Sequence, residues 1–237
     1  MRHHLYSTED REYLEELLRY FPVSPPVSLD EAQNTIRDIS RSWDPLKFSE
    51  NLISSGNRII FFEKVLPKLP KLLHKAMYSG VLSNAGEYRK KSDPNEGIVE
   101  FGLPIKKLTD AGCSSNGRFT GINPDRINEK VASACRLIEI DCVNPFRNAA
   151  VFYQKFIRIH PFYDGNGRIG RFIVDAYLYS HNMYIDWEKM KTTTRWIRQL
   201  NYCHRKTNDD ESSVAYNFAL KWWVHYLEKF KHVIVPE

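Results

Sequence analysis

At 237 residues the chain can bury a sizeable core, as one large domain or as a core with a helical extension. Its 34 basic and 29 acidic residues are scattered (Arg89-Lys90-Lys91, Lys106-Lys107, Lys189, Lys191), which argues against a nucleic-acid surface but leaves room for a local anion patch. Cys113, Cys135, Cys142 and Cys203 show no C-x-x-C spacing, no N-x-[ST] sequon occurs, and no apolar run is long enough to span a membrane. These features predict reduced thiols, no secretion and a cytoplasmic protein.

Residues 1–6 read as a loose tail. Ser7-Thr8-Glu9-Asp10 opens a first helix with Tyr13, Leu14, Leu17, Leu18 and Phe21 at helical spacing, ended by Pro22 and Pro25-Pro26. Ser28-Leu29-Asp30-Glu31 is a capping box for a second helix reaching about Trp43, and Asp44-Pro45 turns into a third. Helical stretches follow at Ile59 to Leu66 and Leu69 to Met77, with breaks at Pro67 and Pro70. Trp43, Phe61 and Phe62 are assigned to the core. Gly97 to Lys107 alternates enough for a short hairpin capped by Gly102, and Thr109 to Asn123 is Gly/Ser-rich and reads as a loop. Asn123-Pro124 and Asn144-Pro145 each pair an N-cap with Pro at the first helical position. Cys135 and Cys142, seven apart, would share one face of the first of these helices as buried apolar groups. Asp186 starts a further helical region, Lys206 to Ser213 is a polar loop, and Ser213 begins a last helix with Tyr216, Leu220, Trp223 and Leu227 on its docking face.

The chemistry lies between the Asn144 helix and the next one, in His160-Pro161-Phe162-Tyr163-Asp164-Gly165-Asn166-Gly167-Arg168-Ile169-Gly170-Arg171. Both flanks are apolar all round, so a buried helix, a tight turn and a second buried helix starting at about Asn166 to Arg168 are predicted. A helix start carries unpaired N–H groups and partial positive charge, which makes it an anion site. Gly165 and Gly167 let a phosphate approach the backbone, and Arg168 and Arg171, three apart, share the first turn. Asp164 belongs beside a phosphate only if a cation such as Mg²⁺ bridges them. His160, with an ordinary pKa of about 6.5, suits a general base. Each residue alone has a plainer reading as cap, turn or solvated face; together they are the set that phosphoester transfer needs. No G-x-x-x-x-G-K-[ST], H-E-x-x-H or G-x-S-x-G competes with it.

The run His160-x-Phe162-x-Asp164-Gly165-Asn166-Gly167-Arg168-x-x-Arg171 resembles the signature of the Fic domain at every defined position. Ala85 to Arg89 followed by Ile98 to Gly102 is similar to that family's flap region. The resemblance covers roughly residues 50 to 190. It implies an all-α helical bundle with a short β-hairpin flap over the site, residues 1–48 being an N-terminal helical extension and 49–237 the Fic core with C-terminal helices. It also implies transfer of AMP from ATP, with Mg²⁺, to a Ser, Thr or Tyr hydroxyl of a target protein or of the chain itself. His160 would be the base, Asp164 the metal ligand, and Gly165, Asn166, Gly167, Arg168 and Arg171 the phosphate site. The flap residues Gly97, Ile98, Val99, Glu100, Phe101 and Gly102 would dock the target. Phe162 would anchor the loop in the core. Transfer of another phosphate-linked group, or an idle nucleotide-binding module, are the alternatives. Many relatives carry an inhibitory helix with Ser/Thr-x-x-x-Glu-Gly/Asn; here Ser55 stands where its Glu is expected. The literal match at Ser92 to Gly97 contains Pro94 and is read as coincidence.

Overall fold

The computed structural model describes residues 8–54, 65–101, 119–138, 143–192, 195–206 and 213–235. Among these, ten α-helices carry the fold: α1 Thr8–Tyr20, α2 Leu29–Ser42, α3 Pro45–Ser54, α4 Leu69–Tyr78, α5 Ile127–Cys135, α6 Pro145–Ile159, α7 Asn166–Tyr179, α8 Trp187–Lys191, α9 Arg195–Lys206 and α10 Val214–Glu228. Two small antiparallel ladders complete it, β1 Glu100–Phe101 with β2 Phe119–Thr120 and β3 Met183–Ile185 with β4 Lys231–Val233. The all-α expectation therefore holds. No helix among the described residues is long and apolar enough to cross a membrane.

Helices α6 and α7 form the centre. Asn144 caps α6, its side-chain oxygen accepting the Arg147 N–H at 3.0 Å, and Pro145 fills the first turn, where no donor is needed. The helix is buried nearly all round, from Phe146 to Ile159. Gly170 allows α7 to approach it closely, because a Cβ there would lie 3.2 Å from ring carbons of Tyr153 and Phe156. Trp43, just before α3, and Phe48 within it each set a ring 5.3 Å from Phe172. From α10, Trp223 donates its indole N–H to the Ala150 carbonyl at 2.9 Å. The N-terminal helices reach the site directly: the Tyr13 hydroxyl donates to the Tyr163 carbonyl at 3.0 Å, and Phe21 packs its ring on Tyr163. The division expected between residues 48 and 49 falls inside α3.

Several local expectations change. Pro70 does not break a helix; it sits in the first turn of α4, where its missing N–H costs nothing. Helix α5 stops at Cys135, so it does not put Cys142 on the same face; Cys135 is buried and free, and Cys142 is outside the described residues. The β3–β4 ladder was not foreseen, because three-residue strands far apart in sequence carry too little alternation to register. The hairpin expected within Gly97 to Lys107 is also revised. Strand β1 pairs with Phe119 and Thr120, residues assigned to a loop, and Gly102 lies outside the described residues. Phe119 is the reason: it is 1% exposed, and its burial fixes the pairing that a Gly/Ser-rich neighbourhood hid.

Candidate active site

Helix α6 ends at His160, which takes the left-handed conformation (φ 51°, ψ 61°) immediately before Pro161. That reversal turns the carbonyls of the last helical residues toward a single side chain. Arg89, 2% exposed, donates to the carbonyls of His160 (2.8 Å), Ile122 (3.1 Å), Ile159 (3.3 Å) and Gly97, while its backbone N–H donates to the Pro161 carbonyl at 3.0 Å. Burial lowers its pKa to about 10, opposed by Tyr163, Tyr13 and Asp93, so it remains a cation. The sequence reading placed Arg89 in the flap region but gave it no role. Nothing separates it there from Lys90 and Lys91, which pair with Glu87 and Asp125 on the surface.

Phe162 is fully buried, as expected of a loop anchor. It stacks on His74 (4.1 Å, 10°), which stacks in turn on Tyr78 (4.5 Å, 27°). His74 accepts the Gly86 N–H at 2.9 Å through Nδ1, and burial lowers its pKa to about 3, so it is a neutral ring within an aromatic column. The Asn166 side chain, 3% exposed, closes the turn: it accepts the Phe162 N–H at 3.0 Å and donates to the Phe162 carbonyl at 2.8 Å. Its carboxamide oxygen and one amide N–H are thus committed to the loop.

Gly165 is the N-cap of α7 with φ 79°, and no side chain caps that helix. A Cβ at this position would lie 3.0 Å from the Tyr78 ring and strain the backbone as well. The first-turn amides of α7 therefore form an uncapped mouth, the arrangement that binds anions. Beside it, the Asp164 carboxylate accepts from the Tyr78 hydroxyl at 2.6 Å and from Arg168 at 2.9 Å, and Arg168 also donates to the Tyr78 oxygen at 3.0 Å. Burial pushes the Asp164 pKa up, but Arg168, the Tyr78 hydroxyl and the Gly165 amide together hold it below the usual value. Arg171 lies over Gly167, where a Cβ would come 3.2 Å from its guanidinium. Among the described residues no hydrogen bond or ion pair takes that guanidinium. One turn on, Asp175 accepts the Trp187 indole N–H on both oxygens (2.7 and 2.8 Å), and burial raises its pKa to about 7 against Trp187, Arg171 and Lys191.

The His160 ring lies face to face on Phe101 of β1, 4.4 Å away at 11°. Its Nδ1 is 3.3 Å from the Ile157 carbonyl, and a carbonyl can only accept, so the proton sits on Nδ1 and Nε2 keeps its lone pair. Part of the ring remains accessible, yet packed protein around it and the Arg89 charge lower its pKa to about 3. It is neutral at physiological pH, the state a base requires.

The chain thus brings His160, Asp164, Gly165, Asn166, Gly167, Arg168 and Arg171 to one turn. The flap residues divide by side: Val99 (5% exposed) and Phe101 (9%) point in, while Ile98 (52%) and Glu100 face out, and Gly97 is buried. Residues 94–97 form a tight turn, with Asn95 and Glu96 both at φ 53°, and not an inhibitory helix; Glu96 is exposed. Ser55 lies outside the described residues.

Residues 67–178 match the model of the Fic/DOC family. The fold is similar to that of a Fic domain containing signaling protein from Bacteroides thetaiotaomicron (TM-score 0.56, 18% identity, covering 93% of this chain and 80% of that one). Two curated relatives, each a protein adenylyltransferase fic-1, one from Caenorhabditis elegans and one from Caenorhabditis briggsae, are 31% identical over 62 residues. Those matches span 25% of this chain and 12% of the relatives' length.

Proposed function

We propose that this domain is a protein adenylyltransferase, moving AMP from ATP to a Ser, Thr or Tyr hydroxyl of a target protein and releasing pyrophosphate. The observation that carries the reading is the uncapped, glycine-started mouth of α7, with Asp164, Arg168 and Arg171 at its first turn, on the turn that begins at the neutral imidazole of His160. The triphosphate rests against the backbone amides of Asn166 and Gly167, with Arg168 on its middle and Arg171 on its end. The target oxygen attacks the α-phosphorus and the bond to pyrophosphate breaks. The hydroxyl proton passes to Nε2 of His160. Polyphosphate charge beside the ring raises the pKa of His160 from its low resting value toward the working range.

Mg²⁺ fits the donor set. Asp164 is charged and part-exposed, and a single carboxylate plus phosphate oxygens suits this ion. Asp164 would hold the ion, and nucleotide oxygens would supply the rest of its ligands. When bound, the ion neutralises charge on the phosphates. Arg168, which shares the Asp164 oxygen with Tyr78, would turn toward phosphate. The outward edge of β1 suits strand addition by an extended target segment, including one of this chain. The free Cys135 and Cys203 accord with a proposed cytoplasmic setting.

Incubation with lysate, Mg²⁺ and ATP labelled at either the α- or the γ-phosphate tests the proposal. Protein label from the α-position alone is expected. Label from the γ-position would make it a phosphoryl transferase, and nucleotide binding without any transfer would make it an idle module.

A further inference from the structure

A buried polar relay lies behind the flap, outside the motif. The Tyr216 hydroxyl, on α10, donates to the Gln154 side-chain oxygen, on α6, at 2.7 Å. That bond fixes the carboxamide, so its NH₂ must face His204 of α9, whose Nδ1 is 3.2 Å away. An amide nitrogen only donates, so Nδ1 accepts and the His204 proton sits on Nε2. His204 is 1% exposed, and its Nε2 has no hydrogen-bond partner. Two flap rings meet this imidazole at steep angles: Phe101 of β1 (5.5 Å, 83°) and Phe119 of β2 (5.4 Å, 70°). An aromatic face is the partner left to such an N–H.

Two residue pairs of ladder, Glu100 with Thr120 and Phe101 with Phe119, are too few to hold a flap by themselves. The relay supplies what the ladder lacks, a fixed ring touching one aromatic from each strand. Phe101 in turn is the plate on which the His160 ring lies. We infer that His204 is a positioning residue for His160, acting through Phe101, with Gln154 and Tyr216 holding its orientation. The inference rests on the reading of His160 as the base. Its consequence is that flap position and base position are one variable, set by the α9–α10 core.

The test compares Phe101→Leu, Phe101→Tyr, His204→Met and Tyr216→Phe. Stacking on Phe101 shifts the His160 ring C–H protons upfield in the parent NMR spectrum. The shift is expected to vanish in Phe101→Leu, to survive in Phe101→Tyr, and to shrink and broaden in His204→Met. For transfer, Phe101→Leu and His204→Met should lose kcat by roughly ten- to a hundredfold, the scale of an ångström misplacement, at unchanged KM for ATP. Phe101→Tyr should recover most of it. Tyr216→Phe, which removes one oxygen and no ring, gives the same changes at smaller size if His204→Met does not fold. Unchanged His160 resonances and kcat in both His204→Met and Tyr216→Phe overturn the inference, whatever happens to stability. The NMR reading needs no turnover, so a parent that transfers nothing would sink the adenylyltransferase reading while leaving the positioning inference to the spectra.

Discussion

The loop between α6 and α7 and the flap beside it face the same imidazole but are held by different means. In the loop, side chains bond to backbone: Asn166 takes both polar groups of Phe162, and Arg89 gathers carbonyls of Ile159 and His160. These groups are buried or nearly so, and leaving any unmade is costly. The flap has two ladder pairs, the Gly121 N–H on the Val99 carbonyl, Arg158 and Arg89 on carbonyls at its margins, and the faces of Phe101 and Phe119. Ring contacts are less directional than hydrogen bonds, so the flap is specified less strictly than the loop.

The sharpest break separates chemistry from architecture. His160→Ala should reduce transfer by about 10²–10⁴-fold while nucleotide affinity, measured by calorimetry, stays nearly unchanged. Comparable loss of affinity would mean the ring holds ATP and is not the base. Next comes Arg89, the joint between the two regions, since it bonds His160 on one side and Gly97 and Ile122 on the other. Arg89→Met should cost roughly 3–5 kcal/mol in urea unfolding, because it strands several buried carbonyls at once. A cost under about 1 kcal/mol would show that water or the backbone replaces it readily. Asn166→Ala, confined to the loop, should cost about 2–3 kcal/mol by orphaning the Phe162 N–H and C=O.

Acid gives a graded version of the same break. His74 and His160 are lowered to about 3 and His204 well below its usual value, all chiefly by burial. The unfolded chain therefore takes up three protons near pH 6.5 that the folded one refuses, and this stability is lost as pH falls. Asp175, raised to about 7, works the other way: its contribution is full below the unfolded value and is lost as pH rises through 7. Three protons against one leave a net slope of roughly 2–3 kcal/mol per pH unit between about pH 6 and 4. Unfolding curves at pH 6, 5 and 4 measure it, and a flat result would mean the rings are hydrated in the fold.

The same contrast decides what was legible in the sequence. The α6–α7 pair, its Asn144 cap and the α7 start at Asn166 could be read because apolar periodicity and glycine both act locally. The motif residues could be named for the same reason. Arg89, Asp175 and His204 could not, because their roles depend on which carbonyl, indole or amide arrives from a distant helix. Asn166 shows the limit within the motif itself. Its position was legible as part of a phosphate site, whereas the commitment of its side chain to Phe162 appears only when the turn closes. The β1 partner was missed because two residues of pairing are set by the burial of Phe119, not by any alternation.

The smallest expected stability change is the most informative about the flap. Ile98 is 52% exposed two residues before β1, so Ile98→Ser should alter unfolding by no more than about 0.5 kcal/mol. Val99 and Phe101, one and three positions on, are the residues that hold the strand. If an extended target adds to the β1 edge, its side chains alternate across the strand and one of them rests on Ile98. Ile98→Ser should then raise the KM for the protein acceptor several-fold with kcat and ATP affinity unchanged. An unchanged KM would move target recognition off this strand, to the outer surface of the helices around it, and would leave β1 with the single task of holding Phe101 against His160.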